Sequence, residues 1–315
     1  MAELTRILVT GGAGFIGSHV VDALVEKGHA VGVVDSLATG NRNNLNPDAV
    51  FYEADITDAR ELSRVFAEFK PQVLDHHAAQ ISVALSSRDP AADAMTNVIG
   101  SINILEAARS AGVEHLVFAS TGGALYGDPV KVPAAETTAI APLSPYGASK
   151  ASVETYLKMY HDTYGFSYTA LRYANVFGPR QTAEGEAGVI AIFVNRMLKG
   201  ENPVIFGDGE QQRDLVYVGD VAEANVNAIE SRLEGAYNVG TGVPFSVNEI
   251  ARELAIVCAF EGSFEYAEER AGEVRRVTLD ASNLMRETGW QPKIQLAEGL
   301  VLTVAHQNAQ MNRSI

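Results

Sequence analysis

One cysteine, Cys258, one tryptophan, Trp290, and no long apolar run set the first limits on this chain of 315 residues. A lone cysteine forms no intrachain disulfide, and a chain of this length buries a core large enough to fold without such staples. Nowhere do 18 apolar residues stand together, which argues against a membrane-spanning helix. Positive charge is scarce: 24 Lys and Arg against 39 Asp and Glu leave a net charge of −15. With no basic stripe, nucleic acid is not an expected partner. The opening residues Met1-Ala-Glu-Leu-Thr-Arg-Ile-Leu-Val-Thr10 enter a strand-like run at once, without the layout of a signal peptide, and a soluble, cytoplasmic protein is expected. No His, Cys, Asp and Glu set has ligand spacing, so no metal is expected, and His76 and His77 read as buried, hydrogen-bonded histidines.

What is present is an ordinary globular make-up with 28 glycines. Short β-branched runs alternate with helical patterns: strands over 7–10, 31–35, 50–55, 73–79 and 116–120, and helices over 15–27, 58–69 and 91–111. Strands separated by single helices predict a doubly wound α/β domain with a parallel sheet covered on both faces. Asp58-x-x-Glu61, Ser246-x-x-Glu249 and Ser144-Pro145 mark helix starts. After about Val176, loops rich in glycine separate shorter elements. We therefore expect a Rossmann-type domain over 1–176 with a return segment at 214–242, and a smaller, mixed C-terminal substrate-binding region over 177–213 and 243–315.

Thr10-Gly-Gly-Ala-Gly-Phe-Ile-Gly17 follows the first strand and opens the first helix. Gly11, Gly14 and Gly17 suit a tight turn, close approach to a pyrophosphate and helix–strand packing, and the helix N-terminus offers N–H groups to an anion. Asp35 ends the second strand, where a carboxylate accepts hydrogen bonds from adenosine ribose hydroxyls and repels a 2′-phosphate, which favours NAD over NADP. Asp55 stands at the end of the third strand, near the adenine or as a plain strand-end residue. Tyr146-Gly-Ala-Ser-Lys150 places a phenol and an ammonium one helical turn apart, and a nearby cation favours the phenolate a base requires.

Together these segments resemble the extended short-chain dehydrogenase/reductases, and within them the nucleotide-sugar epimerases. The resemblance covers nearly the whole chain. Besides the glycine loop and Asp35 it is carried by His77-Ala-Ala-Gln80, Asn97, Ser120-Thr-Gly-Gly-Ala-Leu-Tyr-Gly127, Ser144-Pro-Tyr-Gly-Ala-Ser-Lys150, Leu171-Arg-Tyr-Ala-Asn-Val-Phe-Gly-Pro-Arg180, Gly207-Asp-Gly209, Arg213-Asp-Leu-Val-Tyr-Val-Gly-Asp220 and Arg270-Ala-Gly-Glu273.

The resemblance implies that Tyr146 is the acid/base and that Lys150 holds the nicotinamide ribose and lowers the tyrosine's pKa. Phe15, Ile16, Asp55, Ile56, Ala78, Ala79, Gln80 and Asn97 are implied to line the NAD site, with Tyr173 packing by the nicotinamide. Asn175, Val189, Arg213 and Arg270 are implied on the substrate side, with Glu273 near the nucleoside ribose. Two guanidiniums suit a diphosphate that the net charge would otherwise repel. Val277 falls beside the sugar's C2 substituent, and Arg180 is placed to meet a C6 carboxylate or to salt-bridge within its loop. The family's catalytic hydroxyl stands four residues before Tyr126, and that place is Gly122; Thr121, then Ser120, are the neighbours that offer a hydroxyl.

Sister dehydratases and decarboxylases put acidic residues near this point, where the chain has Gly122 and Gly123. The reading that follows is NAD-dependent C4 epimerisation of a UDP-hexose, UDP-glucose or UDP-galactose, through a 4-keto sugar. UDP-N-acetylhexosamine and UDP-uronic acid substrates, a nucleotide-sugar dehydratase or oxidoreductase, and a non-catalytic dinucleotide sensor are the alternatives. Helices over 91–111 and 145–161 resemble the family's dimer interface, so a homodimer is expected.

Overall fold

The computed structural model describes residues 4–128, 131–182, 188–269 and 274–313. The chain opens with β1 (Arg6–Thr10), α1 (Phe15–Glu26), β2 (Ala30–Asp35), β3 (Val50–Glu53), α2 (Ala59–Phe69) and β4 (Val73–His76). It continues through α3 (Val83–Arg88), α4 (Pro90–Ala94), α5 (Gly100–Ala111), β5 (His115–Thr121), α6 (Gly122–Leu125), α7 (Pro145–Tyr164) and β6 (Ser167–Tyr173). Next come β7 (Asn175–Phe177), α8 (Val189–Leu198), β8 (Val204–Phe206), β9 (Gln212–Tyr217), α9 (Val218–Ser231) and β10 (Gly235–Val239). The C-terminal part holds β11 (Pro244–Ser246), α10 (Val247–Val257), β12 (Glu265–Ala267), β13 (Arg276–Val277), α11 (Ser282–Thr288) and α12 (Leu296–Arg313).

Seven strands form one all-parallel sheet in the order β10-β6-β5-β4-β1-β2-β3. Both faces are covered, which is why Ile7, Leu8 and Val9 are all apolar and all fully buried. Successive residues point to opposite faces. Ile7, Val9 and Val73 pack with Val20, Val21 and Leu24 of α1 and Val221 of α9. Leu8, Leu74 and Leu116 pack with Leu62 and Phe66 of α2, Ile104 of α5 and Leu157 of α7. Each such side chain removed from water stabilises the fold by about 1.5–3 kcal/mol. The strand order reverses between β1 and β4, and the crevice above their C-terminal ends is where a sheet of this kind receives ligands.

A second sheet joins β11, β9 and β13, with β7 pairing to β9, while β8 pairs with β12. Here the structure departs from the expected return segment. Residues 218–239 do rejoin the main domain, α9 packing against α1 and β10 pairing with β6. Residues 214–217 instead belong to the second sheet. The cause is Asp214, fully buried. Its carboxylate accepts hydrogen bonds from Thr241 N (2.9 Å), Thr241 Oγ1 (2.6 Å), Gly242 N (3.1 Å) and Leu279 N (3.1 Å). These bonds bind β9 to the loop after β10 and to the chain beyond β13, where a place in the main sheet would break them.

The helix expected over 91–111 is also interrupted, since a π-helical turn, Met95–Ile99, separates α4 from α5. Gly100 follows that turn because a Cβ there would lie 2.7 Å from Ile56 Cδ1. The three sequence-marked helix starts carry caps: Asp58 accepts from Arg60 N and Glu61 N, Ser144 from Gly147 N, and Ser246 forms a complete capping box with Glu249. Among the described residues no helix is long and apolar enough to cross a membrane.

Candidate active site

The cofactor side of the crevice is made of backbone packed with almost no clearance. Gly11 has φ +71°, and a Cβ there would lie 2.7 Å from Ala78 N. At Gly17 a Cβ would lie 2.3 Å from the Gly11 carbonyl oxygen. Gly14 is less crowded: the single neighbour of a Cβ there is that same oxygen, at 3.1 Å. Gly14 caps α1 with no side-chain hydrogen bond, so no cap side chain competes with an anion for the first-turn N–H groups at Phe15, Ile16 and Gly17. Asp35 ends β2, buried, its carboxylate accepting from Ala13 N (3.0 Å) and Leu37 N (2.8 Å). A carboxylate has further lone pairs for ribose hydroxyls. A glycine cradle at a helix N-terminus beside a fixed acid fits a dinucleotide.

Other expected cofactor residues occupy second positions. Asp55 is exposed and accepts from Thr57 N (2.8 Å) and Thr57 Oγ1 (2.7 Å), and Ile56 is buried against Gly100. Ala78, Ala79 and Gln80 form the half-buried segment after β4, with Ala78 N donating to Thr10 Oγ1 (3.1 Å). Asn97, in the π turn, spends its amide on this wall: its Oδ1 accepts from Gln80 N (2.8 Å) and its Nδ2 donates to Gln80 O (2.8 Å) and Asp93 Oδ1 (3.0 Å). Tyr173 is buried behind the wall, stacked 6.3 Å from the His77 ring, with its hydroxyl donating to Asn225 Oδ1 (2.8 Å). His77 Nε2 lies 2.9 Å from Asp75 Oδ1. His76 is bonded to Thr10 Oγ1 (2.6 Å) and Ser101 Oγ (3.0 Å), and burial pushes its pKa down to about 3, which keeps it neutral. Among the described residues no group of three His, Cys, Asp or Glu is placed to hold a metal ion.

Tyr146 and Lys150 share one face of the first turns of α7, whose start is pressed onto α6: a Cβ at Gly147 would lie 2.7 Å from Ala124 O. Lys150 is buried, with Nζ donating to Ala119 O (2.9 Å), 4.7 Å from the Phe118 ring centre and 6.0 Å from that of Tyr146. Burial lowers its pKa to about 8, against the raising influence of Asp93 and Glu154. Burial, and then Asp93, push the Tyr146 phenol well above the usual tyrosine range. Burial is the larger of the two influences on the phenol, and the Lys150 ammonium stands 6.0 Å from its ring centre on the same helix face.

The place of the missing hydroxyl is occupied. A Cβ at Gly122 would lie 2.4 Å from Leu279 Cδ1, so a serine there would require the Leu279 side chain to shift. Ser120 is committed elsewhere, donating to Glu154 Oε1 (2.5 Å), itself paired with Arg172 (2.6 Å) in the core. Thr121 ends β5 half-buried, its Oγ1 accepting from Ala124 N (3.2 Å). The position of a Cβ on Gly123 is 3.8 Å from both Thr121 Oγ1 and Asn175 Oδ1, so Thr121 borders the second feature of the crevice.

That feature is a cavity of about 350 Å³ where β7, α8, β8 and β9 converge. It brings together Asn175, Val189 and Arg213 of the expected substrate residues. Arg196, Phe206 and Gln211 join them without having been singled out from the sequence. Strand alternation offered a signal for Gln211, two residues before Arg213, and its Oε1 is buried with no hydrogen-bond partner. Arg180 is not there. Its φ is +68°, and Nη2 pairs with Asp22 Oδ2 at 2.7 Å, fastening its loop to α1, so of its two expected roles the structure shows the salt bridge. Val277 lies across from Arg213 in the second sheet, but its side chain is buried in the core. Arg270 and Glu273 lie outside the described residues.

Comparison with known proteins agrees with this geometry. The chain is 45% identical over 305 residues to the UDP-glucose 4-epimerase of Mycolicibacterium smegmatis, covering 95% of this chain and 97% of that one. The structure of UDP-glucose 4-epimerase with UDP-glucose from Thermotoga maritima superposes with a TM-score of 0.94 at 50% identity, covering 97% and 99% of the two chains. For the Thermus thermophilus UDP-glucose 4-epimerase complex with NAD the TM-score is 0.93 at 47% identity, covering 96% and 99%. The profile of the NAD dependent epimerase/dehydratase family matches residues 7–240, and the chain belongs to that family.

Proposed function

We propose that this protein interconverts the C4 epimers of a UDP-hexose, UDP-glucose and UDP-galactose, with NAD as resident cofactor. The observation that carries the reading is the adjacency across one crevice of the glycine cradle, half-buried Tyr146 with buried Lys150 and, beyond Thr121, a cavity holding Asn175 and Arg213. When bound, oxidised NAD supplies the acceptor for the C4 hydrogen and a cationic ring that favours the Tyr146 phenolate. Tyr146 takes the proton of the C4 hydroxyl and returns it after the 4-keto sugar has turned over. Lys150, a donor with no acceptor capacity, holds a hydroxyl in the crevice while its charge offsets the phenolate. Thr121 orients the C4 oxygen. Arg213 faces the diphosphate, and Asn175 fixes the end of the chain nearest Thr121. Holding the substrate by its nucleotide leaves the sugar free to rotate, since binding energy is collected away from the reacting carbon.

Arg180 tied to Asp22 removes the argument for a C6 carboxylate, which favours hexoses over uronic acids. We also propose a homodimer in the cytoplasm, paired through the faces of Met95, Ile99, Tyr156 and Met159, apolar side chains that lie exposed. The test gives purified protein UDP-galactose, UDP-N-acetylgalactosamine or UDP-galacturonate without added NAD and follows the anomeric protons by NMR. Conversion of UDP-galactose to UDP-glucose is expected. No conversion of any of the three, even with NAD supplied, overturns the proposal.

A further inference from the structure

Asp93 is the least expected charge in the crevice. Its side chain is buried, 1% exposed, and its three hydrogen bonds all come from neutral groups. Oδ1 accepts from Gln80 Nε2 (2.8 Å) and Asn97 Nδ2 (3.0 Å), and Oδ2 accepts from Ser149 Oγ (2.6 Å). One carboxylate thus joins three segments: the channel wall after β4, the π turn, and α7 at the residue beside Lys150. A buried charge is costly, and one held by neutral donors persists where those donors need a common acceptor.

We propose that Asp93 is a positioning residue of the epimerisation, whose carboxylate holds α7 against the Gln80–Asn97 wall so that the acid/base pair and the cofactor channel keep one register. The inference rests on the epimerase reading above. Charge supports it. Tyr146 faces Asp93 and, 6.0 Å from its ring centre, the Lys150 ammonium, whereas Lys150 faces Asp93, Glu154 and the neutral His76. Asp93 raises the pKa of both members of the pair, so removing the anion lowers both.

The test compares wild type, Asp93→Asn and Ser149→Ala for kcat and KM on UDP-galactose across pH, and measures NAD retained after gel filtration by acid release and assay. Asp93→Asn keeps the shape and one acceptor oxygen but removes the charge and sets an NH2 donor against one of the present donors, either the Ser149 hydroxyl or the Gln80 and Asn97 amides. Its kcat is expected to fall about tenfold or more, KM to stay within about twofold, and both limbs of the pH profile to move to lower pH. Retained NAD should fall to about half or less as the Gln80 wall loosens. Ser149→Ala should lower kcat by about threefold and leave the limbs in place. Asp93→Asn with an unmoved pH profile and full NAD content overturns the proposal, whatever its kcat. Should that variant fail to fold, Ser149→Ala with wild-type kcat overturns it instead. A wild type that converts no UDP-sugar counts against the epimerase reading, whereas an active wild type with an indifferent Asp93→Asn counts against Asp93 alone.

Discussion

The two halves of the crevice are built by different means. On the cofactor side the wall is backbone, and residue identity follows from clearance: a side chain at Gly11 or Gly17 would sit inside 3.0 Å of another backbone segment. On the substrate side the wall is side chains, Asn175, Arg196, Phe206, Gln211 and Arg213, drawn from short strands and one helix around about 350 Å³ of space. Backbone walls tolerate little, since displacing them moves the strands behind. Side-chain walls can be altered one residue at a time. The contrast teaches where this fold is rigid and where its specificity can be tuned, and it predicts effects of different kinds on the two sides.

The halves meet at Tyr146, and the largest effect is expected there. Tyr146→Phe should lower kcat about 10³-fold, near 4 kcal/mol, with KM for UDP-galactose nearly unchanged, as steady-state kinetics will read. Gly17→Ala comes next and tests the rigid side. Its Cβ has no space beside the Gly11 carbonyl, so a stability loss of about 3 kcal/mol and loss of bound NAD are expected, seen in thermal denaturation and in the absorbance of the purified protein. Arg213→Ala tests the tunable side. There KM should rise about 30-fold, roughly 2 kcal/mol, with kcat held within a few fold and the melting temperature little moved. If Arg213→Ala lost NAD or Gly17→Ala kept it, the division between the halves would fail.

A pH scan separates scaffold from site. His115, fully buried at the start of β5, is held between Ser167 Oγ (2.8 Å) and Thr169 Oγ1 (3.2 Å), and burial pushes its pKa down to about 4. An unfolded histidine titrates near 6.5. Between those values the unfolded chain binds the extra proton, so stability is full above about pH 6.5 and is lost as pH falls toward about 4. His115→Asn should therefore flatten the fall in melting temperature across that window. His76 adds a second loss reaching to about 3, so the flattening is partial.

Legibility in the sequence follows the same division. Consecutive apolar residues such as Ile7, Leu8 and Val9 announce a strand buried on both faces, and glycines at fixed spacing after it announce a turn that only glycine completes. Each signal is local, because neighbours in sequence create the constraint. The second sheet leaves fainter traces. β9 lies outside the main sheet on account of four hydrogen bonds to Asp214 from residues 27 to 65 positions away, a pattern no window of sequence contains. Asp93 is silent in the sequence for a like reason. Its helical spacing from Asn97 is visible there, but its partners Gln80 and Ser149 approach it only after the sheet has brought β4 and α7 together. Gly122 teaches the opposite lesson. A missing serine looks like a chemical departure in the sequence, yet the space its side chain would take is filled by Leu279 from a distant segment of the chain.

The smallest effect expected is that of Arg180→Ala, which sharpens the comparison because this residue stands where the two halves touch. Gly178-Pro-Arg180 leaves the second sheet and returns to α1, with His19 Nε2 bonded to the Pro179 carbonyl (3.0 Å) and the guanidinium on Asp22. The ion pair is partly exposed, at 25% and 33%, so the Coulombic contribution is screened and about 0.5 kcal/mol is expected from it. Alanine at φ +68° keeps the strain that the arginine already bears, which a glycine would relieve, so Arg180→Gly should be the milder variant. In both, KM for UDP-galactose should stay within about twofold of wild type, because the side chain reaches α1 and not the cavity. A tenfold rise in KM with unchanged stability would place Arg180 among the substrate residues after all. It would also show that the loop, and not the β1–β4 crevice alone, divides the cofactor half from the substrate half.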